Sequence, residues 1–121
     1  AGEHGVVAVG HFTDEVVGRR FAGETWNAIC DSIVVRLPEK VYVSFDIDVL
    51  SVEYCPSTGT PVAGGLTFNE ALWLVDRIAA AGRRIVGFDL CEVAPAREGT
   101  TDANVGARVL FRLCGMALKT N

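Results

Sequence analysis

Three short apolar runs along the chain are typical of β-strands. They are Val6–Val9, Val41–Phe45 and Arg84–Phe88. Each run is rich in β-branched or aromatic residues, and none alternates cleanly between apolar and polar positions. Runs of this kind belong to strands that are covered on both faces, as in a parallel α/β sheet. We therefore predict three buried strands.

Apolar residues at three-to-four spacing predict a helix after each of these strands. The predicted helices are Glu24–Leu37, Thr67–Ala81 and Asp102–Lys119. The second is the clearest, because Thr67 and Glu70 form a capping box at its start and Gly82 follows its end.

Alternating strands and helices predict an α/β fold with a mostly parallel sheet. In such a fold the functional residues lie beyond the carboxyl ends of the strands. Two loops leave those ends, at residues 48–66 and 90–101. Both loops contain Gly or Pro, and the first is long for a connection between a strand and a helix.

Length and charge narrow the class of protein. The 121 residues are enough for one hydrophobic core, and we assign residues 1–121 to a single domain. A formal net charge of −4 argues against nucleic acid as a partner. There is no apolar stretch long enough to span a bilayer and no signal-peptide pattern, so we also expect no membrane partner. Because the chain starts at Ala1 and reaches its first strand almost at once, we expect it to be a portion of a longer domain.

The four cysteines give no sign of a zinc or redox motif. They are Cys30, Cys55, Cys91 and Cys114, and no two of them form a Cys-x-x-Cys pair. We expect buried, reduced thiols in a cytoplasmic protein.

Two carboxylates follow the second predicted strand. Asp46 and Asp48 come where the apolar run ends, and residues two apart on a strand share a face. Burial of such carboxylates is costly unless a cation or hydrogen bonds compensate, and oxygen ligands suit Mg, Mn and Ca. A pair of turn-forming or helix-capping aspartates would give the same pattern.

The loop after this pair is built to hold one shape. It contains Cys55-Pro56-Ser57-Thr58-Gly59-Thr60-Pro61 and closes with Gly64-Gly65-Leu66-Thr67 into the capped helix. Two further acids, Asp89 and Glu92, follow the neighbouring strand. Because adjacent parallel strands lie about 4.8 Å apart, these strand ends converge. We expect Asp89 to order the loop and Glu92 to face a ligand.

Several of these motifs, taken in order, resemble the ureohydrolases, the family of arginase, agmatinase and formiminoglutamase. The resemblance rests on four segments spread over nearly the whole chain. They are Ser44-Phe45-Asp46-Ile47-Asp48, the Pro56–Pro61 turn with its Gly-Gly-Leu-Thr closure, Asp89-Leu90-Cys91-Glu92-Val93-Ala94-Pro95, and Asp102–Arg108 at the start of the last helix.

The resemblance implies a three-layer α/β/α fold, of which this chain is the C-terminal portion, and a specific chemistry. Family enzymes use two Mn²⁺ ions to hold a bridging hydroxide that attacks the guanidinium or amidine carbon and releases urea or formamide. Asp46 would bridge both ions and Asp48 would bind one of them. Glu92 would pair with the guanidinium nitrogens of a small guanidino or amidine substrate, and Thr60 would lie beside the substrate.

The chain departs from the family pattern in several places. Ser51-Val52 stands where the family has Asp-Pro, and Gly10-His11-Phe12-Thr13-Asp14 stands where it has Gly-Ile-Arg-Asp. The family's Gly-Gly-Asp-His and Asp-Ala-His-x-Asp motifs are not in this sequence, and neither His4 nor His11 has family spacing. We therefore expect the isolated chain to bind Mn²⁺ weakly and to hydrolyse nothing.

Two other functions compete with this one. A strand ending in Asp-x-Asp also resembles haloacid-dehalogenase-type phosphatases, although the Pro56–Pro61 turn has no role there. A catalytically dead interaction module would suit Ser51-Val52 and the missing motifs. Exposed apolar surface and an open sheet edge favour a homo-oligomer. Cys55 before Pro56 and Val62 after Pro61 favour the agmatinase and formiminoglutamase side of the family.

Overall fold

The computed structural model describes residues 13–96 and 98–121 of the chain. The predicted strand Val6–Val9, His4 and His11 lie outside the described residues. The elements, in chain order, are helices α1 (Thr13–Phe21) and α2 (Trp26–Val34), strand β1 (Lys40–Asp46), a short 3-10 turn (Ile47–Val49), helix α3 (Phe68–Ala80), strand β2 (Arg84–Cys91) and helix α4 (Thr101–Thr120). No helix in the described ranges is long and apolar enough to cross a membrane.

The two strands pair in parallel, as predicted. The register runs from Lys40 beside Arg84 to Asp46 beside Cys91, with one irregularity between Val41 and Tyr42. Both strands therefore end at the same edge, and Glu92 is the next residue after the strand that flanks Asp46.

The predicted helices are confirmed, with shifts at their ends. The Thr67–Glu70 capping box at the start of α3 is present in both directions, and Gly82 after its end adopts a positive φ of 76°. Helix α2 is shorter than the predicted Glu24–Leu37. It starts after Thr25, whose hydroxyl accepts the Ala28 N–H, and it ends at Val34.

Helix α1 was not predicted, because its sequence lacks an apolar stripe. Its order comes from charge: Asp14 and Glu15 lie in its first turn, and Arg19 and Arg20 in its last. Acidic side chains near a helix N-terminus and basic side chains near its C-terminus interact favourably with the helix macrodipole and stabilise the helix. This charge order was the signal in the sequence that could have identified α1.

The core lies on one face of the two strands. Side chains of α3 and α4 pack there against Val41, Phe45 and Ile85. The opposite face is open within the described residues, where Tyr42 is 59% and Val86 52% exposed. The prediction that these strands are covered on both faces is thus not met by the described part of the chain, which supplies two layers.

The prediction of four buried thiols is wrong for two of them. Cys30 and Cys55 are buried, whereas Cys91 and Cys114 are exposed, and all four are free. Cys91 lies at the end of β2, beside Asp46, and Cys114 is on the solvent side of α4. Both cysteines were expected to be buried because the residues next to them in the sequence are apolar.

Candidate functional site

Asp46 and Asp48 meet at the end of β1, but not as neighbours on one strand face. Asp46 is the last residue of the strand, and Asp48 lies in the 3-10 turn that follows. The Asp46 Oδ1 accepts the Asp48 N–H at 3.1 Å. The predicted geometry of residues i and i+2 on a strand is therefore wrong, because the backbone turns immediately after Asp46. The turn itself keeps the two carboxylates together.

The two carboxylates affect each other's charge. Partial burial raises the pKa of the Asp46 carboxyl, and the adjacent Asp48 carboxylate also raises it. The N–H of Asp48 acts in the opposite direction. A nearby cation would favour the charged form of Asp46 and offset these effects. Oxygen donors of this type fit a hard divalent ion such as Mn²⁺.

Thr60 belongs to the same cluster. Its hydroxyl donates a short hydrogen bond to the Asp48 Oδ2, across twelve residues of sequence. The structure therefore brings together Asp46, Asp48 and Thr60, three of the four predicted site residues.

Glu92 is the fourth predicted site residue, and it faces the same loop. A Cβ built on Gly59 would lie 3.7 Å from the Glu92 Oε2, so this carboxylate lies against the turn that carries Thr60. Thr58 donates its hydroxyl proton to the Glu92 carbonyl at 3.0 Å. Among the described non-glycine residues, Glu92 alone has a positive φ, of 66°. Such strained backbone costs about 1–3 kcal/mol and is concentrated at functional sites.

Backbone hydrogen bonds close the loop between β1 and α3. The N–H of Leu66 donates to the Val49 carbonyl at 2.9 Å, and the N–H of Ser51 donates to the Leu66 carbonyl at 2.9 Å. Gly65 permits this approach, because a Cβ there would lie 2.6 Å from the backbone of Leu50. The buried Cys55 thiol fills the interior of the loop and donates to the Ile47 carbonyl at 3.4 Å.

The Ser51-Val52 departure has a structural role. The N–H of Val52 donates to the Val62 carbonyl at 3.0 Å, a bond that proline in this position could not make. The Ser51 hydroxyl donates to Glu53 at 2.5 Å and lowers the pKa of that carboxyl. The loop is therefore closed by contacts of its own at the position of the family's Asp-Pro.

Asp89 was expected to order the loop, and this expectation is wrong. Its carboxylate accepts hydrogen bonds from Ser44 at 2.8 Å, Tyr42 at 3.0 Å and Cys91 at 3.2 Å. These donors lower the pKa of Asp89, the Ser44 hydroxyl most strongly. All three lie on the strands, because Asp89 is inside β2 rather than beyond it. Asp89 ties β1 to β2 on the open face of the sheet.

Asp102 also contributes a contact to the candidate site, although nothing in the sequence indicated this. It lies in the first turn of α4, is 1% exposed, and its Oδ1 accepts the Ser57 N–H at 2.9 Å. An acid in the first turn of a helix is common, so its sequence position gave no sign of this long-range contact.

The described residues do not form a metal site by themselves. Residues 13–96 and 98–121 contain no group of three or more His, Cys, Asp or Glu side chains arranged to hold an ion. The Asp46–Asp48 pair fits a divalent cation in donor type, and further ligands would have to come from elsewhere.

Comparison with known proteins agrees with the motifs. Residues 6–115 match the arginase family. The chain is 44% identical over 91 residues to N(1)-aminopropylagmatine ureohydrolase of Thermococcus kodakarensis, covering 72% of this chain and 30% of that protein. It is 30% identical over 128 residues to human arginase-1, covering 99% of this chain and 39% of that protein.

Solved structures give the same fold. Proclavaminate amidino hydrolase of Streptomyces clavuligerus superposes with a TM-score of 0.72 and 30% identity, over 89% of this chain and 34% of that one. A Burkholderia thailandensis protein described as a hypothetical agmatinase superposes with a TM-score of 0.68 and 32% identity, over 87% of this chain and 33% of that one. These neighbours confirm the predicted arginase-like α/β fold class. The chain spans 30–39% of the length of the curated relatives named above. With motifs, fold and family match in agreement, the chain belongs to the arginase family.

Proposed function

We propose that this chain supplies the carboxylate and substrate-facing side of a ureohydrolase active site. In a complete domain, that site would hydrolyse a C–N bond of a small guanidino or amidine compound with the help of two Mn²⁺ ions. One observation carries the proposal: Asp46, Asp48, Thr60 and Glu92, which lie on two strand ends and one loop, meet at a single edge of the sheet.

Each residue has a distinct role in this proposal. Asp46 and Asp48 would hold the metal ions, with Asp46 shared between them. Bound divalent cations lower the pKa of water toward neutrality and orient it for attack. Thr60 orients the Asp48 carboxylate, because its hydroxyl occupies one lone pair of Oδ2 and leaves the remaining lone pairs of the carboxylate for an ion.

Glu92 would bind the substrate. A carboxylate opposite a guanidinium forms charge-assisted hydrogen bonds, which are stronger than neutral ones. The positive φ of Glu92 and the hydrogen bond from Thr58 to its carbonyl fix the backbone that carries this carboxylate. Its carboxylate lies against Gly59, the residue before Thr60.

The relatives support the substrate class and favour the agmatine side of the family. They are named as acting on N(1)-aminopropylagmatine, agmatine and guanidinobutyrate, besides the arginases. We propose a small guanidino compound of this kind as the substrate. We also propose a cytoplasmic homo-oligomer, supported by free cysteines and by exposed Phe111 and Leu118 on α4.

The isolated chain should be inactive, since it lacks the family's histidine motifs. We expect weak Mn²⁺ binding and no urea release from agmatine or arginine. Urea release by the purified, Mn²⁺-loaded chain would overturn this expectation.

A grafted enzyme tests the proposed function. In N(1)-aminopropylagmatine ureohydrolase of Thermococcus kodakarensis, the matched segment would be replaced by the corresponding residues of this chain. We expect the graft to release urea, and Glu92→Gln within it to raise KM for guanidino substrates and lower kcat. Asp76→Asn, at a surface ion pair with Arg112, serves as the control and should leave both constants unchanged. A folded but inactive graft would favour a dead interaction module, and turnover of an aryl phosphate instead would favour a phosphatase.

A further inference from the structure

Asp102 connects helix α4 to the loop that carries the candidate site. Its side chain is 1% exposed, and its Oδ1 accepts the N–H of Ser57, which is 45 residues away in sequence. We propose that Asp102 is a positioning residue, whose carboxylate fixes the Ser57–Thr60 turn so that Thr60 meets Asp48 and Glu92 faces the loop. The proposal rests on the function proposed above only for the roles of Thr60 and Glu92.

The turn is anchored at Ser57, Thr58 and Thr60 to three different parts of the chain. The Ser57 N–H is bound by Asp102 of α4, and the Thr58 hydroxyl by the Glu92 carbonyl beyond β2. The Thr60 hydroxyl is bound by Asp48 beyond β1. Thr58 is 5% exposed, so this part of the turn is also buried. Removal of one anchor therefore changes the direction in which the next residues point.

A buried carboxylate at position 102 lowers the stability of the fold. Its Oδ2 is buried and has no hydrogen-bond partner among the described residues. An unsatisfied buried polar atom is unfavourable, because it loses its hydrogen bonds to water without replacing them. The first turn of α4 offsets part of this cost, because a negative charge there interacts favourably with the helix macrodipole. The hydrogen bond that Oδ1 accepts from the Ser57 N–H also stabilises the buried carboxylate.

A second contact holds α4 close to the end of β2. A Cβ on Gly106 would lie 3.1 Å and 3.2 Å from the two methyl groups of Val93, the residue after Glu92. Helix α4 therefore contacts both loops of the candidate site, one through the Asp102 carboxylate and the other through the bare Gly106 backbone.

Nuclear magnetic resonance of the full 121-residue chain tests this role without metal or substrate. In Asp102→Ala we expect the Ser57 amide to exchange about tenfold faster, as for loss of a hydrogen bond to a charged acceptor. We expect the methyl resonances of Thr58 and Thr60 to shift as well. Asp102→Asn keeps an Oδ1 acceptor for the Ser57 N–H, and it should restore both the exchange rate and the methyl positions.

A matched variant separates positioning from general destabilisation. Val109→Ala removes a fully buried side chain from the same helix. It should speed exchange throughout the core and leave the Thr58 and Thr60 methyl resonances in place. If Asp102→Ala does not fold, Asp102→Asn decides the question through the same resonances.

Two results would overturn the proposal. One is an Asp102→Ala variant whose Thr60 methyl does not move. The other is an Asp102→Asn variant in which the Thr58 and Thr60 methyl resonances remain displaced, which would show that an acceptor at Oδ1 does not hold the turn. Neither reading depends on urea release, so an inactive graft and a failed positioning role are distinguishable.

Discussion

Asp46 has two contacts that follow from its place at the end of a strand. Its Oδ1 caps the turn that holds Asp48, and its carboxyl is close enough to the Asp48 carboxylate for the two charges to oppose each other. The sequence predicted the pair but not the turn, because period-two patterning describes strands and not the residue where a strand stops. A capping aspartate and a metal-binding aspartate are compatible, since Oδ2 remains for an ion.

Single residues also show where prediction from sequence stopped. The Pro and Gly content of the 56–61 turn predicted a fixed loop, and Thr60 and Glu92 were found from motifs. The contact between Asp102 and Ser57 was not predictable, because it joins residues on two elements and leaves no local pattern. Asp89 was expected to follow the strand and order the loop, because one apolar run does not show where β2 ends; the strand continues past Phe88 to Cys91.

The four cysteine thiols should differ in their reactivity toward a thiol reagent. Burial raises the pKa of Cys30 to about 11, and it also raises that of Cys55. Exposure rather than pKa distinguishes Cys91 from the buried thiols, since its hydrogen bond to Asp89 also raises its pKa. A thiol reagent at pH 8 should modify the exposed Cys91 and Cys114 in the native chain, and all four cysteines only after unfolding. Mass spectrometry of the labelled peptides checks this, and rapid native labelling of Cys30 or Cys55 would contradict the described packing.

At the scale of elements, most of the fold followed from sequence. Parallel pairing, helix α3 with its caps and helix α4 were predicted from apolar spacing and capping residues. The open face of the sheet was not predicted. An apolar run indicates that both faces of a strand can be buried, but it does not show whether the described part of the chain supplies the cover. Helix α1 was missed because its order depends on charge rather than on an apolar stripe.

Two glycines of helix α4 should respond in opposite ways to the same substitution. Gly106→Ala places a methyl group against Val93, so the side chain next to Glu92 must shift. We expect a destabilisation of about 1–3 kcal/mol, as for overpacking elsewhere. Gly115→Ala meets nothing within 4 Å and should stabilise the chain by about 0.5–1 kcal/mol through helix propensity. Urea unfolding of both variants measures the difference, and equal effects would contradict the close approach at Gly106.

The capping box of α3 should make stability depend on pH. Partial burial of Glu70 favours its protonated form, but hydrogen bonds from the Thr67 N–H and attraction to Arg20 outweigh burial and lower its pKa. A lowered pKa in the folded state means that Glu70 stabilises the chain above its ordinary pKa of 4.5 and loses this contribution as pH falls through the folded value.

Comparison of the chain with Glu70→Gln checks this sign. We expect the variant to be less stable at pH 7, with the difference shrinking as the pH falls from 4.5 through the lowered folded-state pKa of Glu70. Urea unfolding across pH 3–7 gives the two curves. A stability difference that grows as the pH falls would contradict the ionised capping box.

At the scale of the whole molecule, the chain spans 30–39% of the length of the curated relatives named above. Its described residues bring a carboxylate pair, a hydroxyl and a second acid to one edge of a parallel sheet. Its other sheet face stays open, with Tyr42 and Val86 exposed. The chain belongs to the arginase family, and none of the residues that the structure describes is a histidine that could complete a site beside the two carboxylates.

Elemental analysis of the grafted enzyme is the sharpest check of the proposal that Asp46 and Asp48 bind the metal ions. We predict two Mn²⁺ per domain in the graft by elemental analysis after gel filtration, and one or none in Asp46→Asn. Asp76→Asn is the control and should retain both ions. A folded Asp46→Asn graft that still carries two Mn²⁺ per domain would contradict the assignment of the Asp46–Asp48 pair as the metal-binding side of this chain.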